Sequence, residues 1–145
     1  MNPNMHPKRL KKFFEDLGFK DVTTVIASGN VVFSSNSKKS QALEAKIERE
    51  LPLKLGFKSS TIIRSRSELE RLAKMNPFRG VIDEKPNYLL VTFFKNGAPE
   101  LCSVLDLGNS KTPEFMRELD KTHGKLITSR TWKTVLRILR KMENI

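Results

Sequence analysis

The spacing of apolar and polar residues in the first half of the chain predicts three helices, a hairpin and a strand. Residues 7–17 place leucine and phenylalanine at i, i+3, i+4 and i+7, which is one face of a helix. Residues 23–35 (TTVIASGNVVFSS) predict two short strands joined by a Gly29-Asn30 turn, because both residues adopt the positive φ angles of a two-residue hairpin loop. Helices at 41–51 and 67–75 flank a predicted strand at 58–64.

The second half of the chain continues the same mixture of helices and strands. Residues 88–94 (YLLVTFF) are the most apolar run, and their β-rich composition predicts a buried central strand. A strand at 101–107, a capped helix at 112–123, a strand at 125–129 and a last helix at 132–142 follow. Weak periodicity around residues 78–87 predicts a junction. We therefore expect an α+β protein with tightly joined halves at 1–80 and 81–145.

Composition narrows the class of protein. Hydrophobic residues make up 38% of the chain and charged residues 30%, which is typical of a globular domain. No apolar run approaches the ~20 residues of a membrane span, and the charged N-terminal region lacks the apolar stretch of a signal peptide. Cys102 is the single cysteine, so an internal disulfide and cysteine-based zinc sites are excluded. We expect a cytoplasmic protein in which Cys102 is a buried strand thiol.

Several ordered motifs resemble one family of proteins. The segments TTVIASGNVVFSS (23–35), NPF (76–78), LLVTFF (89–94), TPEFM (112–116) and ITSRTWKTV (127–135) are similar to bacterial domain of unknown function family 1697. The resemblance implies two ferredoxin-like α+β halves with antiparallel sheets, and it implies no activity and no catalytic residue. The motif positions without an assigned role are Ser28, Gly29, Asn30, Thr131 and Trp132.

The start of the chain departs from that family pattern. Family members open with a β-strand and a glycine-rich turn, whereas this sequence reaches its first predicted helix within a few residues. The resemblance therefore implies a first half that lacks its opening strand, which would leave an empty position inside a βαββαβ sheet. Unpaired strand edges invite another strand. We expect a strand from the second half or from a second copy of the chain to pair there, which makes a homo-oligomer a candidate assembly.

Residues suited to catalysis are scattered. His6 and His123 have no partner at metal-ligand spacing, and the carboxylates of Asp83, Glu84 and Asp106 are isolated from one another in the sequence. The SGN segment lacks the lysine and the helix of a phosphate-binding loop. We therefore assign no catalytic residue, cofactor or metal, and the pattern favours a protein that is not an enzyme.

The last predicted helix has the clearest candidate surface. Trp132, Val135, Leu136, Leu139 and Met142 form its predicted buried stripe. The candidate polyanion-binding residues on and before the opposite side are Arg130, Lys133, Arg137, Arg140 and Lys141. Such a row of cations can follow a phosphate backbone, although a solvated cationic face is the alternative.

The formal net charge of +11 raises the weight of a polyanionic partner. We expect a non-enzymatic binding module with weak affinity for nucleic acid or another polyanion. Two alternatives stay open: an enzyme of unknown reaction with a pocket between the halves, and an assembly protein completed by a partner strand.

Overall fold

A computed structural model describes residues 6–25, 29–37, 39–95, 99–106, 117, 121 and 126–144. Its helices are α1 (Pro7–Asp16), α2 (Ser40–Leu55), α3 (Arg66–Met75) and α4 (Trp132–Glu143). Its strands are β1 (Lys20–Val25), β2 (Asn30–Ser34), β3 (Asn87–Phe94), β4 (Leu101–Asp106) and β5 (Ile127–Thr131).

The predicted α+β class is confirmed. The described strands form one antiparallel sheet of β1 and β2 and a second antiparallel sheet in the order β4-β3-β5. The chain divides into two compact units: the first contains Met1–Arg66 and Arg137–Ile145, and the second contains Ser67–Leu136. The halves predicted at 1–80 and 81–145, and the added strand expected beside the hairpin, stay predictions.

The core of the first unit forms where α1, the β1–β2 hairpin and α2 bring their apolar faces together. Its buried members are Leu10, Phe13, Phe14, Phe19, Val22, Leu43, Ile47 and Leu51. Four phenylalanines form a ring cluster in which Phe14 contacts Phe13, Phe19 and Phe33 at centroid distances of 5.5, 5.9 and 5.3 Å. The helical stripe predicted for residues 7–17 is therefore the inner face of α1.

The hairpin turn differs from the prediction. Asn30 pairs with Val25 as the first residue of β2, so it belongs to the strand and not to the predicted Gly29-Asn30 turn. Gly29 keeps the expected positive φ, at 80°. The buried Asn30 side chain donates from Nδ2 to the Val25 carbonyl oxygen at 3.1 Å. This hydrogen bond thus links the last residue of β1 to the first residue of β2.

The strand predicted at residues 58–64 is wrong, because these residues join neither sheet among the described strands. The backbone of this segment instead donates hydrogen bonds to two carboxylates of α2. The N–H of Thr61 donates to Glu48 Oε2 at 3.1 Å, and the N–H of Ile63 donates to Glu44 Oε2 at 2.8 Å. These two backbone N–H groups are therefore satisfied by side chains of α2, rather than by the neighbouring strand that the β-rich composition predicts.

Helix α2 also runs further than its predicted end at residue 51. It continues through Pro52 to Leu55 and ends at Gly56, whose φ is 76°. Proline has no N–H to donate to the carbonyl of residue 48, so the helix loses one bond without ending there. The left-handed Gly56 supplies the stop, as glycine commonly does after a helix.

Strand β3 is the centre of the second sheet, as the sequence predicts. Val91 and Thr92 are each 0% exposed. The Thr92 hydroxyl is satisfied by the hydroxyl of Ser129 on β5, 2.8 Å away. Strand β5 spans Ile127–Thr131 rather than the predicted 125–129, and most of the predicted helix at 112–123 lies outside the described residues.

Candidate polyanion-binding surface

Helix α4 begins where β5 ends, and a threonine fixes the transition. The Thr131 hydroxyl oxygen accepts the N–H of Thr134 at 3.3 Å and lies 2.9 Å from the Thr134 hydroxyl. A threonine that accepts an N–H three residues later is the usual way to satisfy the first turn of a helix. The start of α4 is therefore determined by residues adjacent to it in the chain, and α4 begins at Trp132 as the sequence predicts.

One side of α4 is apolar and withdrawn from solvent. Val135 and Leu139 are buried, and Trp132, Ile138 and Met142 are half-buried. Leu136 was predicted in the buried stripe but is 36% exposed. At 3.6 residues per turn it lies at the border of the apolar face, about 100° from Val135.

The cationic row consists of Lys133, Arg137, Arg140 and Lys141, and all four side chains are exposed. Their spacing confines them to a sector of about 100° on the side opposite Val135 and Met142. None of the four makes an ion pair with another described residue. Arg140 and Lys141 also lie in the last turn, where the partial negative charge of the helix end favours cations.

Arg130 differs from the cationic row in its surroundings. It is half-buried on β5 opposite Val91, and its Nη1 donates to Thr128 Oγ1 at 2.7 Å and to the Ser129 carbonyl oxygen at 2.9 Å. Burial lowers the pKa of the Arg130 guanidinium, which still stays cationic because arginine does not lose its proton in proteins. These local bonds give Arg130 a structural role within the second sheet. Its predicted part in polyanion binding stays a prediction.

Trp132 packs at the start of α4 rather than in solvent. It is half-buried, and its ring lies 5.5 Å from the ring of Phe78 at an interplanar angle of 60°. This contact fits an anchor for the helix and leaves the indole poorly placed to stack on a base. Of the other motif positions, Ser28 lies outside the described residues.

The histidines and carboxylates considered in the sequence analysis are not brought together where the structure describes them. The exposed His6 precedes α1, and its Nδ1 accepts the N–H of Lys8 at 3.3 Å. Asp83 and Glu84 lie in the loop before β3, whereas His123 and the side chain of Asp106 are outside the described residues. Within the described part of the chain, no group of three or more histidine, cysteine, aspartate or glutamate side chains could hold a metal ion. None of the described helices is long and apolar enough to cross a membrane.

Cys102 is half-buried on β4, so the predicted buried thiol is only partly covered. Burial raises the pKa of the Cys102 thiol, and the negative charge of Glu100 raises this pKa further. Since the thiolate is the reactive form, such a thiol is a slow nucleophile at neutral pH.

We expect iodoacetamide to alkylate Cys102 more slowly at pH 8 than it alkylates cysteine in an unstructured peptide. The midpoint of the rate–pH profile should lie above that of the peptide, because the protonated thiol persists to higher pH. Mass spectrometry of timed samples measures the rate, and Glu100→Gln should move the midpoint part of the way back. A native-state midpoint at or below the peptide value would contradict the expectation.

Comparison with known proteins identifies a family but no characterised relative. The family model described as "Protein of unknown function (DUF1697)" matches residues 2–121. No curated protein and no solved structure matches the chain. Strand β5 and α4 lie after the matched residues.

Proposed function

This chain belongs to the DUF1697 family of proteins of unknown function, and we propose that it is a non-enzymatic binding module with weak electrostatic affinity for nucleic acid or another polyanion. The observation that supports the proposal is the exposed cationic row on α4, Lys133, Arg137, Arg140 and Lys141. A formal net charge of +11 adds long-range attraction to any polyanion.

The arrangement of the row suits phosphates better than it suits single carboxylates. Four long cationic side chains share one side of a helix whose other side is buried, so they are presented together and cannot turn inward without burying charge. A protein that neutralises phosphates releases the counterions condensed on the nucleic acid, and affinity then falls as salt rises. Non-specific binding of this kind typically has a Kd in the range of about 10⁻⁴–10⁻⁶ M at physiological salt.

Neutralising the cationic row should weaken binding by at least about tenfold at 50 mM salt, because each lost phosphate contact removes the entropy of counterion release. The variant is Lys133→Gln, Arg137→Gln, Arg140→Gln and Lys141→Gln combined, since glutamine keeps length and helix propensity. Fluorescence polarisation of a labelled 20-base-pair DNA at 50 and 200 mM salt measures the affinities of the variant and of the unchanged protein. The magnitude of the slope of log affinity against log salt should fall by up to about 3.6, which is about 0.9 for each of four contacts.

The matched control removes the same charge from elsewhere on the surface. Lys54, Lys58, Arg71 and Lys74 are exposed, and none lies on α4. Changing these four to glutamine lowers the net charge equally and should reduce affinity by no more than about threefold, since only long-range attraction is lost. Equal loss in the two variants would assign binding to net charge rather than to the row. No binding by the unchanged protein at 50 mM salt would dispose of the proposed function.

A further inference from the structure

We infer that the polyanion bound by the cationic row is the phosphate backbone of a double helix, held without regard to base sequence. This inference rests on the proposed function and names its partner. Duplex DNA and duplex RNA both present such a backbone, so both belong to the proposed class of partner. The inference excludes single-stranded nucleic acid as the preferred ligand.

The first argument comes from the shape of the row. Lys133 and Lys141 are eight residues apart on one uninterrupted helix, which corresponds to a row about 12 Å long. A duplex places one negative charge every ~1.7 Å along its axis, twice the density of either strand alone at the same rise. The row therefore lies in a stronger negative potential on a duplex, and each phosphate that it neutralises there releases about 0.9 counterion, against about 0.7 on a single strand. A flexible single strand must in addition be ordered to follow it.

The second argument comes from the aromatic residue beside the row. Proteins that bind single strands add base stacking on exposed rings, a contribution of about 1–3 kcal/mol per base. Trp132 directly precedes Lys133 in the chain, but it lies on the apolar side of α4, its ring contacts Phe78 and the residue is half-buried. The phenylalanines of the first unit are likewise engaged with one another, with Phe14 and Phe19 both against Phe33. The row thus offers charge, while these described rings are engaged in packing.

The third argument concerns sequence reading. The row contains only lysine and arginine, and contacts from such side chains to phosphates set position without carrying sequence information. The side chains on either border of the row are Thr134 and the exposed part of Leu136, which do not supply the bidentate amide that reads adenine. Binding through phosphate contacts should therefore be nearly uniform across duplex sequences, whereas an arginine of the row that reached guanine O6 and N7 would favour a G-rich duplex.

The test compares four labelled ligands with the unchanged protein at 50 mM salt: two 20-base-pair DNA duplexes of unrelated sequence, one duplex RNA, and one 20-nucleotide DNA strand without self-complementarity. We expect both DNA duplexes to bind within about twofold of each other and at least about fivefold tighter than the single strand, from charge density alone. Comparing the RNA duplex with the DNA duplexes distinguishes A-form from B-form geometry. A higher affinity for either kind of duplex than for the single strand supports the inference.

Trp132 gives a second readout, because it is the single tryptophan of the chain. Its fluorescence should change little when duplex binds, since the indole stays against Phe78. Strong quenching by the single strand, together with affinity equal to or above that for duplex, would overturn the inference. If the combined α4 variant lost that single-strand binding, the proposed function would still stand. Failure of all four ligands to bind at 50 mM salt would instead remove the proposed function itself.

Discussion

Replacing Phe14 with alanine should lower the free energy of unfolding by about 3–5 kcal/mol, the usual cost of emptying an aromatic site in a core. Phe14 is buried and is the residue whose ring contacts Phe13, Phe19 and Phe33. It joins α1 to the residue just before β1 and to β2, so its loss removes apolar burial and three ring contacts together. Urea unfolding followed by far-ultraviolet circular dichroism measures the change.

Two further variants separate ring geometry from general hydrophobicity. Phe14→Leu keeps much of the volume and should cost about 1–2 kcal/mol, since it loses the ring contacts and leaves a smaller cavity. Leu53→Ala on α2 serves as the surface control, because Leu53 is 76% exposed and should change stability by less than about 0.5 kcal/mol. A cost of Phe14→Ala no larger than that of Leu53→Ala would show that the ring cluster does not stabilise the first unit.

The parts of the fold that could be predicted from the sequence are those fixed by neighbouring residues. The period of apolar residues in α1 predicts which side is buried, because a helix satisfies its own backbone and needs only one apolar face. The run at β3 is equally clear, since a strand buried on both faces is apolar throughout. The α+β class follows from these elements.

The failures in the first unit arise where the partner is distant in the chain. Residues 58–64 have a strand's composition, but composition does not state which group accepts a backbone N–H. Here the acceptors are Glu44 and Glu48, which lie 19 and 13 residues before the donors Ile63 and Thr61. Helix periodicity places both glutamates on one side of α2, four residues apart, and this is the signal that could have found them.

The candidate surface likewise combines features that neighbouring residues determine with features that depend on residues distant in the chain. The exposure of Lys133 and Arg137 follows from the period of α4 alone. The half-burial of Arg130 could not be predicted, because it depends on the register that puts β5 beside Val91. Leu136 was misassigned because a residue at the border of an apolar face can lie on either side of it.

Replacing Glu44 with alanine should lower the free energy of unfolding by about 2–3 kcal/mol, the range for losing a charged hydrogen-bond partner and leaving a buried group unsatisfied. Glu44 is 5% exposed, and its carboxylate accepts the Ile63 N–H at 2.8 Å. Removing it takes the acceptor from a backbone segment that lies in no described ladder. The same urea unfolding measures the cost, and Glu44→Gln should cost less because its amide oxygen can still accept.

Amide hydrogen exchange makes the Glu44 prediction specific to one bond. In Glu44→Ala the Ile63 amide should exchange at least about tenfold faster, as expected when a bond of about 1.4 kcal/mol or more is lost. Glu48→Ala is the matched control, since it removes the acceptor of Thr61, is less buried, and should cost only about 1 kcal/mol. Unchanged Ile63 exchange in Glu44→Ala would mean that the packing of Ile63 on the core of the first unit holds this segment, rather than the carboxylates of α2.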